Sequence, residues 1–195
     1  MTMIGETSAD SFRIRSARGD EVEAMQMIDI ASSSMFRGLG LIDFGPDDRQ
    51  ITPIPENIIR QAFADQLVWV ASDERDRAIG FALCTARDTE LYLDQVSVLP
   101  EHGQQGLGGR LLDRVFDAAY EGGYKSISLS TFRDVPWNGP FYKKKGFREV
   151  PHGKLKPWQL QLHESQKLTM DVTKRCFMQR AVRRGWWTTK TRLKG

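Results

Sequence analysis

The residues best suited to chemistry lie in two blocks. The first, residues 96–116, is an apolar strand pattern that ends in a glycine-rich turn, Gly103-Gln104-Gln105-Gly106-Leu107-Gly108-Gly109-Arg110, and runs into a helix. A helix N-terminus leaves its first N–H groups unpaired and carries partial positive charge, so it suits an anion. The glycines let the backbone approach a ligand with no Cβ in the way. The second block is Trp137-Asn138-Gly139-Pro140-Phe141-Tyr142-Lys143-Lys144-Lys145-Gly146-Phe147. Its tyrosine is a candidate proton donor.

Three phosphate-binding turns compete for the first block. An ATP or GTP loop needs Gly-Lys-Ser/Thr at the helix start, where Gly109 is followed by Arg110. A dinucleotide fingerprint runs G-x-G-x-x-G after a strand that opens a domain, and here the strand is mid-chain. The third is a Q/R-x-x-G-x-G/A turn that grips a pyrophosphate.

The strand before the turn changes phase. Leu91 and Leu93 are apolar on odd positions, Val96 and Val98 on even ones. A period-2 pattern that changes parity is what one inserted residue produces, so a β-bulge is expected near Asp94-Gln95. In the second block Asn138 is expected to cap a short helix through its side chain. Pro140 fits the first turn, and Gly146 should end it in a left-handed conformation.

Together the glycine turn and the Phe141-Tyr142-x-x-x-Gly146-Phe147 string resemble the GNAT superfamily of N-acetyltransferases over residues 12–182, with the core at Leu91 to Phe147. The resemblance implies an α/β (α+β) fold with a central mixed, mostly antiparallel seven-stranded sheet. Helices cover both faces, and strands four and five splay apart. It implies acetyl-CoA as cofactor, with contacts from Val96, Ser97, Val98, Gly103, Gln104, Gln105, Gly106, Leu107, Gly108, Gly109, Arg110 and Asn138. It implies direct attack by a primary amine, small or peptidic, in a ternary complex, with Tyr142 protonating the leaving thiolate. A backbone N–H near Val96 would polarise the carbonyl. Asp94 is the first candidate for the base and Glu90 the second. The pattern departs from the family in two places. Gly103 stands where Gln or Arg is usual, and Val135 stands seven residues before the tyrosine where Asn is usual. A non-enzymatic coenzyme A- or nucleic-acid-binding module on the same fold is the alternative.

Composition bounds the rest. A chain of 195 residues can bury one sizeable core. No apolar run nears the roughly 20 residues of a membrane span, and the first ten residues do not read as a secretory signal. A cytoplasmic protein is expected, with Cys84 and Cys176 reduced and buried. His102, His152 and His163 lack metal-ligand spacing and are expected to face solvent, so no metal is expected. Residues 143–195 carry 15 Lys and Arg against 3 Asp and Glu, while residues 1–142 carry 13 against 22. The basic end is read as a solvated, flexible tail over residues 183–195. Nucleic acid is disfavoured as a partner, and a homodimer is allowed.

The element order expected is β-α-α-β-β-β-α-β-α-β-α-β. Residues 32–54 form a long connection between the first two helices, of a length that is often functional. Phe36, Tyr92, Phe132 and Trp137 are candidates for an apolar acceptor pocket, with no acceptor class named by them.

Overall fold

A computed structural model describes residues 12–45 and 51–182. The elements are β1 (Arg13–Ser16), α1 (Val22–Ser33), α2 (Glu56–Ala64), β2 (Val68–Ser72), β3 (Ala78–Arg87), β4 (Glu90–Val98), α3 (Leu107–Glu121), β5 (Ser126–Phe132), α4 (Gly139–Lys144), β6 (Arg148–Glu149), α5 (Pro157–Gln166) and β7 (Arg175–Ala181). The expected order and fold class hold. Differences are at the ends: the turn before α1 is a 3-10 turn over Gly19–Glu21, and β6 shrinks to two residues.

One seven-stranded sheet runs β1-β2-β3-β4-β5-β7-β6. Every neighbouring pair is antiparallel except β4 with β5, which is parallel. Parallel neighbours need a crossover, and α3 supplies it. Its apolar stripe of Leu107, Leu111, Leu112, Val115, Phe116 and Ala119 is buried against Leu91, Leu93, Ile127 and Leu129 of the two strands. The opposite face packs Val68, Val70, Phe81 and Leu83 against Met25 and Ile28 of α1 and Ile59 of α2. α5 lies on this second face, where Trp158 meets Tyr92 of β4 and Phe177 of β7 edge-on. Burial on both faces explains why β2 is apolar without alternation.

Cys84 and Cys176 are free and buried, as expected. The histidines correct the expectation in part. His152 is exposed, but His102 is half-buried edge-on to Phe12, and His163 is half-buried near His152. Ring faces find apolar cover even near a surface. The basic end with Trp186 and Trp187 lies outside the described residues. Among the described residues no helix is long and apolar enough to cross a membrane.

Candidate active site

The phase slip in β4 is a bulge at Asp94. Gln95 pairs with Leu83 and Leu93 pairs with Cys84, so Asp94 is the extra residue. Pairing of β4 with β5 stops at Leu93–Leu129, although β5 runs on to Phe132. From that level the two strands diverge and leave an open notch in the sheet.

The ladder decides which backbone groups face the notch. The Leu99 N–H donates to the Ile79 carbonyl, and hydrogen-bonded pairs alternate along an antiparallel ladder. Gln95 and Ser97 therefore turn their backbone toward β3, while Val96 and Val98 turn theirs toward the notch. Ser97, among the expected cofactor contacts, is placed differently from Val96 and Val98. Its backbone belongs to the β3 ladder. Its buried hydroxyl accepts from Ser32 Oγ at 2.9 Å and Gln95 Nε2 at 2.8 Å, on the α1 face.

The glycine turn sits at the head of this notch. Gln104 and Gly106 are left-handed, with φ of 59° and 79°. The first turn N–H in a backbone bond beyond it is Arg110, which donates to the Gly106 carbonyl. No protein acceptor meets the N–H groups of Gln104, Gln105, Gly106, Leu107, Gly108 or Gly109 among the described residues. A Cβ on Gly108 would meet open space, so this glycine is not needed to fold the turn. These six donors, with the positive end of a 15-residue helix behind them, form a concave row of the kind that suits an anion. The glutamine side chains are exposed and donate nothing inward. Arg110 instead donates Nη2 to the Phe12 carbonyl at 2.9 Å, tying the turn to the chain before β1.

Lys145 escaped the sequence reading. Its Nζ would lie 3.3 Å from a Cβ on Gly109 and is 3.3 Å from Asp113 Oδ1, so an ammonium flanks the cradle. Only its place in a lysine triplet hinted at it.

On the α1 face, Asp94 is half-buried. Loss of hydration raises its pKa to about 6, opposed by the Thr85 hydroxyl, which donates to Oδ2 at 2.8 Å, and by Arg87. That places its titration near neutrality, where a base is effective. The neighbouring Gln95 donates Nε2 to Asp29 Oδ1 at 2.8 Å, and Asp29 Oδ2 accepts the Ile54 N–H at 2.8 Å. The bulge is thereby braced against α1 and the connection to α2. Glu90, the second candidate base, is at the paired end of β4. It is fully buried and held by Gln179 Nε2 at 2.6 Å and Lys156 Nζ at 3.2 Å.

On the α3 face, Tyr142 is buried with its ring edge-on to Phe141 and Phe147. Burial, and secondarily the nearby Cys84, push its pKa far up, so it carries its proton at any ordinary pH. No hydrogen bond joins its hydroxyl to the described residues. The cap before it differs from expectation. Asn138 stands at the N-cap position, but its side chain makes no capping bond, and Nδ2 donates to the Trp137 carbonyl at 3.3 Å. The cause is the next residue. A Cβ on Gly139 would lie 2.1 Å from the Arg133 carbonyl, so the chain enters α4 pressed against β5's exit, with Asn138 at ψ −105°. Pro140 in the first turn and Gly146 at φ 85° are as expected.

Of the four aromatic candidates, three meet. Phe36 lies 5.3 Å from Phe132 and 5.8 Å from Trp137 between ring centres. Tyr92 packs on Trp158 instead, at 5.0 Å.

A bulged β4, a parallel β4–β5 pair that opens past the bulge, and an unpaired helix start at its head lie within the stretch of sequence that a known family model matches. The model of the acetyltransferase (GNAT) domain matches residues 64–149, which span β2 to β6. That match, with the fold shared by many GNAT structures, supports membership of the GNAT superfamily. Solved GNAT structures share the fold at low identity. An acetyltransferase of the GNAT family from Staphylococcus aureus is 19% identical with a TM-score of 0.65, covering 88% of this chain and 99% of that one. The PaiA N-acetyltransferase of Thermoplasma acidophilum, in complex with coenzyme A, is 15% identical with a TM-score of 0.65, covering 88% and 99%. Arabidopsis thaliana Naa50, in complex with the bisubstrate analogue CoA-Ac-MVNAL, is 15% identical with a TM-score of 0.58, covering 87% and 98%. In GNAT terms, the cradle and notch lie on the α3 side and the Asp94 carboxylate on the other.

Proposed function

We propose that this GNAT protein is an N-acetyltransferase that binds acetyl-CoA in the β4–β5 notch and acetylates a primary amine, with residues 12–182 as the working unit. The observation that carries the reading is the run of six unpartnered N–H groups, Gln104 to Gly109, at the head of a notch walled by Val96 and Val98. Such a row fits a pyrophosphate, and a cradle left open at Gly108 fits its close approach. GNAT relatives held with coenzyme A support the same assignment.

Acetyl-CoA supplies an activated thioester. The chain supplies position and protons. The backbone N–H groups of Val96 and Val98 orient a carbonyl along the splayed strand. Asp94, ionised above about pH 6, accepts a proton from the acceptor ammonium directly or through water. Tyr142 holds a proton at Oη on the α3 side, available to a thiolate. Neither cysteine serves as nucleophile, since burial pushes both thiols up and holds them protonated. Direct transfer needs none.

The test is thioester consumption with a panel of amines, using acetyl-CoA and the parent protein. Amine-dependent release of free thiol supports the reading. Tight binding of coenzyme A without turnover of any amine would favour a binding module instead.

A further inference from the structure

The guanidinium of Arg175, near the notch, has no carboxylate partner among the described residues. Arg15 pairs with Glu21 at 2.7 Å, Arg114 with Glu121 at 3.2 Å, and Arg133 with Glu149 at 2.9 Å. Arg175, the first residue of β7, is also partly buried, yet no carboxylate lies within ion-pair range of it among the described residues. Its guanidinium meets only neutral groups. Nε donates to Gln166 Oε1 at 3.1 Å and Ser130 Oγ at 3.3 Å, and Nη2 donates to the Ser130 carbonyl at 3.0 Å. Nη1 meets no acceptor among the described residues. Lost hydration depresses its pKa, as an uncompensated charge requires. Holding a cation this way is unfavourable unless something anionic meets it.

Its position names the site. Arg175 pairs across the ladder with Phe132, so both side chains stand on the α1 face, and its guanidinium lies 4.7 Å from the Phe132 ring centre. Phe132 is three residues past the last β4–β5 pair, as Val96 is on the other strand, so the two flank the notch. Phe36 and Trp137 complete an aromatic wall beside it, and Trp137 is exposed. Tyr92 sits in electrostatic reach of both Asp94 and Arg175. One mouth thus offers a carboxylate, an aromatic wall and a guanidinium with a free edge.

We propose that Arg175 reads a carboxylate on the acceptor, and that the acceptor is a small amine carrying an acid group and an apolar or aromatic body. The inference rests on the acetyl-transfer reading, since it takes the amine to lie at Asp94. An Arg–carboxylate pair with a planar fork is selective in direction as well as charge.

The experiment compares phenylalanine with phenethylamine, which differ by the carboxylate alone, each corrected for its free-base fraction. In the parent protein kcat/KM favours phenylalanine by about 10–100-fold, the size expected of one charge-assisted contact, with the difference in KM. Arg175→Gln brings the ratio near one, and Arg175→Lys restores part of it. In parallel, calorimetry measures binding of N-acetylphenylalanine and N-acetylphenethylamine to the coenzyme A-saturated parent, which needs no turnover. Selective binding of the acid without turnover of either amine keeps the inference and rejects the acetyl-transfer reading. Turnover of both amines at equal kcat/KM does the reverse. A ratio of one in the parent overturns the proposal whether or not the variants fold, and so does failure of both products to bind. An acidic peptide turned over while phenylalanine is not would overturn the small-molecule assignment.

Discussion

Glu90 and Asp94 stand four residues apart on one strand and toward the same face, and their surroundings diverge completely. Glu90 lies where β4 is paired on both sides. Ser126 of β5 and Gln179 of β7 donate to its Oε2, and Lys156 reaches the same oxygen from the turn before α5, while Oε1 meets no donor among the described residues. Asp94 lies where pairing with β5 has just ended, with one hydroxyl donor from Thr85. The inserted residue makes the difference. It ends the double-sided ladder, opens the notch, and leaves a carboxylate part-buried but short of partners. The comparison teaches that burial alone does not make a catalytic group. A carboxylate pinned inside a paired sheet by an ammonium and two donors is structural, and one beside an opening with a single side-chain donor is available for chemistry.

The comparison breaks most severely if the notch itself is closed. Gly108→Val places branched carbons in space that the fold leaves empty, so the protein should fold normally and lose coenzyme A binding by calorimetry. Tight binding by this variant would mean the cradle is elsewhere. Across the notch, Tyr142→Phe removes one oxygen and should lower kcat by roughly 10²–10⁴-fold with little change in coenzyme A affinity. An unchanged kcat would reduce Tyr142 to a packing residue.

Asp94→Asn acts on two observables of opposite sign. The parent's kcat/KM should rise with pH through about 6 and level off above it, because the base must be ionised. The variant should lose that inflection and roughly 10²-fold or more in rate. Stability moves the other way. The folded pKa is raised from 3.8 to about 6, so the stability linked to the protonated form is full below about 3.8 and lost as pH rises through 6. At pH 8 the asparagine variant should therefore melt higher than the parent, by a difference on the order of 2–3 kcal/mol, and at pH 3 it should not. Glu90→Gln gives the smallest effect and the sharpest contrast. It should cost about 1 kcal/mol of stability through weakened hydrogen bonds and leave the pH–rate inflection in place.

Much of this was legible before any coordinates. The change from Leu91 and Leu93 to Val96 and Val98 located the bulge near Asp94-Gln95, because β4 is buried and must keep apolar groups on its α3 face on both sides of an insertion. The stripe on α3 is equally plain, since one face of a 15-residue helix covers the sheet. Contacts between distant residues were not legible. Gln95 with Asp29, and Arg175 with Ser130 and Gln166, join groups brought together only by the sheet order. Asn138 misled because capping preference is local, while its conformation is dictated by Gly139 fitting under the Arg133 carbonyl. The orientation of Ser97 was not legible either, because a bulge reassigns which alternate residues face the notch.

The central claim is that the unpaired N–H groups of the turn and of splayed β4 hold the cofactor. Titrating acetyl-CoA into ¹⁵N-labelled protein reads those groups directly. The account predicts saturable shifts of the amides of Gln104 to Gly109 and of Val96 and Val98, with the Glu90 to Leu93 amides nearly still. Stoichiometric binding that moves other amides and leaves the turn unchanged would contradict it.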